Sequence, residues 1–154
     1  MGFHRRLPHL RPFSVHPLVF LTVVTHQRRF VLSNQQACGV LRELWEKSMN
    51  QYGWFVGKYL IMPDHIHLFA VPAIVADPMA SWIGSWKSLA ARRLKEVVGI
   101  QPPLWQRDYF DRFLRSASSY AREWDYVAMN PVRKGLCART EDWPWQGSIH
   151  DLRF

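Results

Sequence analysis

Two runs of apolar and β-branched residues, 54–62 and 65–71, are separated only by Pro63-Asp64. A link this short joins strands as an antiparallel hairpin, because a parallel pair needs a crossover of a dozen or more residues. The flanks of the hairpin repeat one pattern. Before it, residues 18–26 read as an apolar strand, and Ser33 with Gln36 reads as a capping box. The helix that follows runs to about Gln51, with Val40, Leu41, Leu44 and Trp45 on one face. After the hairpin, Asp77-Pro78 reads as an N-cap and first helical residue of a helix to about Val98. Leu104 to Leu114 reads as a fourth strand. Ser116 is then expected to cap a last helix from Ala117 to about Met129, which Asn130-Pro131 ends. This order predicts an α+β domain of ferredoxin-like split βαβ topology, with a central antiparallel sheet and helices packed mainly on one side.

The 154 residues suffice for a single domain, with a basic arm over about 1–13 and a tail over about 137–154 packed partly on the body. Apolar residues make up 48% of the chain, which excludes a disordered polyelectrolyte. The apolar run 17–24 follows arginines, but it has no small-residue cleavage site and is too short to span a bilayer. It is read as a buried strand of a cytoplasmic protein with no membrane partner. Cys38 and Cys137 are far apart in sequence and form no Cys-x-x-Cys pair, as expected of free thiols in a reducing compartment. The formal charge of +8, carried mostly by arginine, favours a polyanion, nucleic acid before membrane. Eight tryptophans in so basic a chain also suit base stacking.

The second hairpin strand begins His65-Ile66-His67. Side chains alternate along a strand, so the two imidazoles share a face and can grip one divalent ion. Ile66 and Phe69 are read as pointing the other way, into the core. On the last helix Tyr126 and Asn130 are four residues apart, hence on one face and about 6 Å apart along the axis. Trp124, Val127 and Ala128 lie on another face and would anchor that helix. Two ring nitrogens and an amide oxygen, with positions left open for a phosphate oxygen, suit Mg²⁺ or Mn²⁺, whereas a structural zinc would want a closed set with cysteine. Tyr126 would be the nucleophile, with Tyr109 and Tyr120 as rivals. A phenol of ordinary pKa about 10 attacks poorly unless charge on the phosphate is neutralised.

These residues sit within a longer ordered set: Arg5–His9, Met62–Leu68, Ser85–Ser88, Leu104–Arg112, Tyr126–Leu136 and Asp142–Trp145. The set resembles the single-tyrosine HUH transposases, and within them the REP-associated tyrosine transposases. A lone His-x-His is a weak signal; the ordered set ending in Asn-Pro-Val is specific. The resemblance implies a catalytic domain that cleaves and rejoins single-stranded, hairpin-containing DNA through a covalent 5′-phosphotyrosine. It assigns Tyr126 as nucleophile and His65, His67 and Asn130 as metal ligands. The serine-rich start of the last helix, 116–119, departs from relatives that are often more acidic there. Oligomeric state stays open between monomer and homodimer.

Arg5, Arg6, Lys87, Arg92, Arg93, Arg107, Arg112, Arg133 and Lys134 are the expected DNA contacts, with Arg112 and Arg133 foremost on phosphate. Trp143 and Trp145 read as core. Two other readings compete. One is a catalytically inactive hairpin-binding protein of the same fold, against which the retained catalytic set counts. The other is an RNA-binding module, which would carry aromatics where the histidines stand.

Overall fold

The computed structural model describes residues 18–153. Arg5, Arg6 and the rest of the N-terminal arm lie outside the described residues. Five strands form one antiparallel sheet: β1 (Leu18–Val24), β2 (Trp54–Ile61), β3 (His65–Pro72), β4 (Phe110–Leu114) and β5 (Gln146–Ser148), in the order β4-β1-β3-β2-β5. The first four reproduce the ferredoxin-like order with β1 and β3 central. The tail, expected only to pack partly on the body, adds β5 at the edge, pairing Lys58 to Leu60 with Ser148 to Gln146.

Helices α1 (Gln35–Glu46) and α3 (Met79–Val98) cover one face of the sheet. Their apolar stripes meet Val19, Leu21 and Val23 of β1 and Ile66, Leu68 and Ala70 of β3 in the main core. Helix α4 (Ala117–Ala128) lies on the opposite face, where Tyr120 packs with Phe69, Val71 and Leu18. Period-2 alternation runs unbroken from His65 to Ala70 against β1, so His65, His67 and Phe69 share this second face. The expectation that Phe69 points away from the histidines is thereby corrected: its ring stands 5.0 Å from Tyr120 and 4.9 Å from Phe20 on the histidine side.

Several boundaries differ from the sequence reading for local reasons. Asn34, not Ser33, is the first N-cap; its side chain accepts from the Ala37 amide at 2.9 Å. The helix expected to Gln51 is interrupted at Lys47, and α2 (Ser48–Tyr52) follows. Buried Ser48 donates back to the Leu44 carbonyl while accepting from the Trp82 indole, a pattern that bends helices. Gly53 ends α2 at φ +79, and a Cβ there would lie 2.5 Å from the Val75 carbonyl oxygen. Asp77 does not cap α3: its amide donates to Tyr52 and its carbonyl accepts from Trp54, so Pro78 becomes the N-cap. Only residues 110–114 of the expected fourth strand pair continuously with β1; upstream, Trp105 makes a single bridge to Thr25. Ser116 does cap α4, accepting from Ser119 at 3.1 Å. Asn130-Pro131 does not end the helical path but opens a further short turn, α5 (Asn130–Arg133), where a missing proline N–H costs nothing. Among the described residues no helix is long and apolar enough to cross a membrane, and Cys38 and Cys137 are free.

Candidate functional site

The centre of the histidine face is a row across the sheet: Phe110 of β4, Thr22 of β1, His67 of β3 and Leu60 of β2. Thr22 Oγ1 lies 2.9 Å from His67 Nδ1, and Phe20 stacks on the same imidazole at 5.3 Å and 18°. His65 Nδ1 donates to Asp64 Oδ1 at 2.7 Å. Asp64 Oδ2 in turn accepts from Arg28 at 2.9 Å. Burial would raise the Asp64 carboxyl, but the hydrogen bonds from His65 and Arg28 hold it below its ordinary value. An ionised carboxylate only accepts, so His65 keeps its proton on Nδ1 and its lone pair on Nε2. A His67 ring that donates to Thr22 does the same. Burial pushes His65 below its ordinary range despite Asp64, and burial together with the neighbouring His65 takes His67 to about 3. The rings are 4.8 Å apart. Two neutral imidazoles, oriented from behind and with Nε2 lone pairs to share, fit a divalent cation.

Helix α4 is seated over this row. Trp124 meets Phe69 edge-on at 6.2 Å, and Val127 packs with Leu60 and Met62. Lys58, projecting from a bulge between Val56 and Tyr59, lies over the Tyr120 and Trp124 rings at 5.9 and 5.2 Å. With Tyr120, Trp124 and Val127 turned to the sheet, Tyr126 is 65% exposed. The rival tyrosines are differently placed. Tyr120 is buried, with its phenol pushed up to about 12 by that burial. Tyr109 packs against the core behind the sheet.

Tyr126 borders a cavity of about 430 Å³ with Arg112, Leu114, Ser119, Arg122 and Glu123. Arg112 pairs with Glu123 and rests over Phe20 at 5.7 Å, which joins this cavity to the His67 ring. Arg133 closes the other side of the tyrosine. Its guanidinium donates to the Tyr126 carbonyl at 2.7 Å and to Asn130 Oδ1, and lies over the Tyr126 ring at 4.2 Å. The amide oxygen expected to ligate a metal thus already faces a cation. Lys134 lies close enough to His65 to act on it electrostatically.

Other expected DNA contacts lie elsewhere. Lys87 sits on α3, half-buried, donating to the Gln106 and Arg107 carbonyls, and its ammonium is lowered by that burial. Arg93 pairs with Glu43 of α1 at 2.5 Å. These two, with exposed Arg92, are on the helix behind the sheet, and exposed Arg107 belongs to the loop that Lys87 holds. Trp143 is buried and donates to the Ile61 carbonyl, as expected of core. Sequence reading missed Thr22, Arg122 and Glu123 as site neighbours and took Asp64 only as a turn residue. Asp64 was legible as a carboxylate directly before His-x-His; Thr22 becomes visible only through the β1–β3 register.

A ferredoxin-like sheet presenting a histidine pair beneath a tyrosine-bearing helix defines the class of this protein. The family model described as "Transposase IS200 like" matches residues 16–127, and the chain belongs to this family. Membership makes it an enzyme of the single-tyrosine transposase type. The match takes in His65, His67 and Tyr126 and stops short of Asn130. A Haemophilus influenzae protein assigned to the REP-associated tyrosine transposases is 26% identical over 153 residues, covering 93% of this chain and 86% of that relative. The REP-associated tyrosine transposase of Escherichia coli is 24% identical over 133 residues, covering 86% and 77%. Among solved structures, a REP-associated tyrosine transposase bound to a REP hairpin shares the fold with TM-score 0.70 at 23% identity, over 84% of this chain and 75% of that one. A Deinococcus radiodurans protein assigned as a transposase superposes with TM-score 0.56 at 20% identity, over 82% and 92%.

Proposed function

We propose that this chain cleaves and rejoins single-stranded, hairpin-containing DNA by metal-dependent transesterification through Tyr126. The observation that carries the reading is an exposed tyrosine on the helix that covers the His65/His67 face, bordered by an arginine-lined cavity. The Tyr126 oxygen attacks the scissile phosphorus, and the bond from phosphorus to the 3′ oxygen breaks. The products are a 5′-phosphotyrosine and a free 3′-hydroxyl; the phenolic proton leaves through the solvent-exposed side, and solvent returns one proton to the departing 3′ oxygen. Because the phosphodiester energy stays in the covalent link, a new 3′-hydroxyl can reverse the step and join strands. His65, His67 and Asn130 would hold Mg²⁺ or Mn²⁺, which when bound neutralises charge on the non-bridging phosphate oxygens. Asp64 and Thr22 fix the imidazoles. Arg112 and Arg122 offer charge to the strand that reaches Tyr126. The hairpin partner rests on the relative solved with a REP hairpin and on the net positive charge.

The test uses labelled hairpin oligonucleotides from the flanks of the gene, incubated with the protein and Mn²⁺ or with EDTA. A denaturation-resistant protein–DNA band is expected with Mn²⁺ alone and absent from Tyr126→Phe, which keeps hairpin binding. An adduct formed by Tyr126→Phe refutes the nucleophile assignment. Native-gel binding without covalent product under any metal supports the inactive hairpin binder instead.

A further inference from the structure

Beside His65, at the opposite end of the site from Arg112, lies a second cavity of about 220 Å³ that the proposed chemistry does not use. Its walls come from three distant segments: Arg28 and Phe30, the Met62–His65 turn, and Lys134 with Leu136. Phe30 is 78% exposed and Leu136 46%, and both apolar side chains border the same hollow. The segment carrying Phe30 is held in place. Buried Thr25 donates its hydroxyl to the Arg29 carbonyl at 2.9 Å, and the Val31 and Leu32 amides both donate to the Pro63 carbonyl. Gln27 and Arg28 stand at φ 56 and 52, a left-handed backbone that non-glycine residues adopt where their surroundings force it. That turn delivers Arg28 to Asp64. The lining therefore carries two cations to one carboxylate, and the carboxylate is already bonded to Arg28 and His65.

An apolar wall that includes an aromatic ring, with cations among its lining, suits a nucleobase with its phosphate. The volume falls below the roughly 300 Å³ at which drug-sized sites begin and is on the scale of one ring system. Because His65 lines the hollow, its occupant would adjoin a phosphodiester bound at the histidine pair. We propose that this cavity is a base subsite: one unstacked nucleobase of the single-stranded DNA stacks on Phe30 against Leu136, while Arg28 and Lys134 hold the phosphate beside it. The inference rests on the DNA-cleaving reading above.

The test is a coupling measurement in the Tyr126→Phe background, where no cleavage intervenes. Hairpin oligonucleotides carrying a single abasic position, moved one nucleotide at a time through the single-stranded flank, are titrated with Phe30 intact and with Phe30→Ala. One abasic position is expected to weaken binding roughly 5- to 150-fold, the range of base–aromatic stacking. Phe30→Ala should weaken the intact oligonucleotide similarly and then be indifferent to that abasic site. Lys134→Ala should make the salt dependence of log K shallower by about 0.7. Unchanged affinity on Phe30→Ala, or abasic penalties that persist at every position, overturns the subsite while leaving the transposase reading intact. A DNA-free dimer that Phe30→Ala dissociates in sedimentation also overturns it, by making this face an interface between copies. No binding of any hairpin by the intact chain overturns the DNA reading itself.

Discussion

Arg133→Ala should tighten metal binding. Arg133 spans the Tyr126 carbonyl, Asn130 Oδ1 and the Tyr126 ring, so the oxygen proposed as a metal ligand is held by a guanidinium. An exposed cation–π contact contributes about 0.5–1 kcal/mol and a net hydrogen bond about 0.5–1.5 kcal/mol. Releasing Asn130 thus costs about 1–2.5 kcal/mol, and removing the competitor should raise Mn²⁺ affinity about 5- to 70-fold. The assay is titration of DNA-free protein with Mn²⁺, followed by electron paramagnetic resonance of the free ion. In an Asn130→Ala background the gain should shrink to a residual charge effect that high salt screens. Arg133→Lys should fall between, since an ammonium lacks the planar fork that reaches two oxygens. Arg133→Ala also loses a cation beside the C-terminal end of α4, about 0.3–1 kcal/mol, so its Tm should fall by no more than a few degrees. Unchanged or weaker Mn²⁺ binding by Arg133→Ala with a native Tm refutes the competition, and with it Asn130 as a ligand.

Thr22→Val leaves the buried His67 Nδ1 without its partner and should cost about 1–3 kcal/mol in thermal denaturation, with Mn²⁺ affinity down about 10- to 100-fold. Gly57→Ala puts a Cβ 2.5 Å from Leu152 Cδ1, so the tail should undock with loss of about 1.5–3 kcal/mol. Urea unfolding of the double variant with Leu152→Ala should show costs that do not add. Arg112→Ala removes a cation next to Tyr126 and should flatten the salt dependence of single-strand binding by about 0.7, read from filter-binding isotherms. Tyr120→Phe and Tyr109→Phe should both retain the covalent adduct on denaturing gels, because both phenols are packed away from the exposed side of α4.

The topology was legible because each half of the chain writes its period clearly: a hairpin with a two-residue link, and helices with tryptophans at helical spacing. His65 and His67 were legible as a pair for the same reason. What failed was local competition. Asn34 outcompetes Ser33 one residue away, and Ser48 bends a helix through bonds to Leu44 and Trp82 that no periodicity reveals. Phe69 was misassigned although its parity matches the histidines, since a large aromatic was taken for the main core when the histidine face has an apolar footing of its own. Thr22, Glu123 and Phe30 depend on strand register and on which helix crosses which face. Charge density alone does not place a residue: Lys87 and Arg93 belong to the helix behind the sheet, where they tie loop and helix together.

The position of α4 decides from which side a strand can reach Tyr126. On the β2 side Val127, Leu60, Met62 and Trp143 fill the space between helix and sheet, and the tail places Leu152 against Gly57. On the β4 side there is a cavity instead, with Arg112 and Arg122 on it and Phe110 exposed at the edge of the histidine row. Among the described residues, the open approach to the tyrosine is therefore the one over β4. The proposed metal ligands sit on β3, which is hydrogen-bonded on both edges, whereas the proposed nucleophile sits on a helix whose indole anchor, Trp124, is only partly buried. Such a division suits a strand-transfer enzyme. In the proposed reaction the histidines hold their geometry through cleavage and joining, while the tyrosine accepts one strand and surrenders it to another.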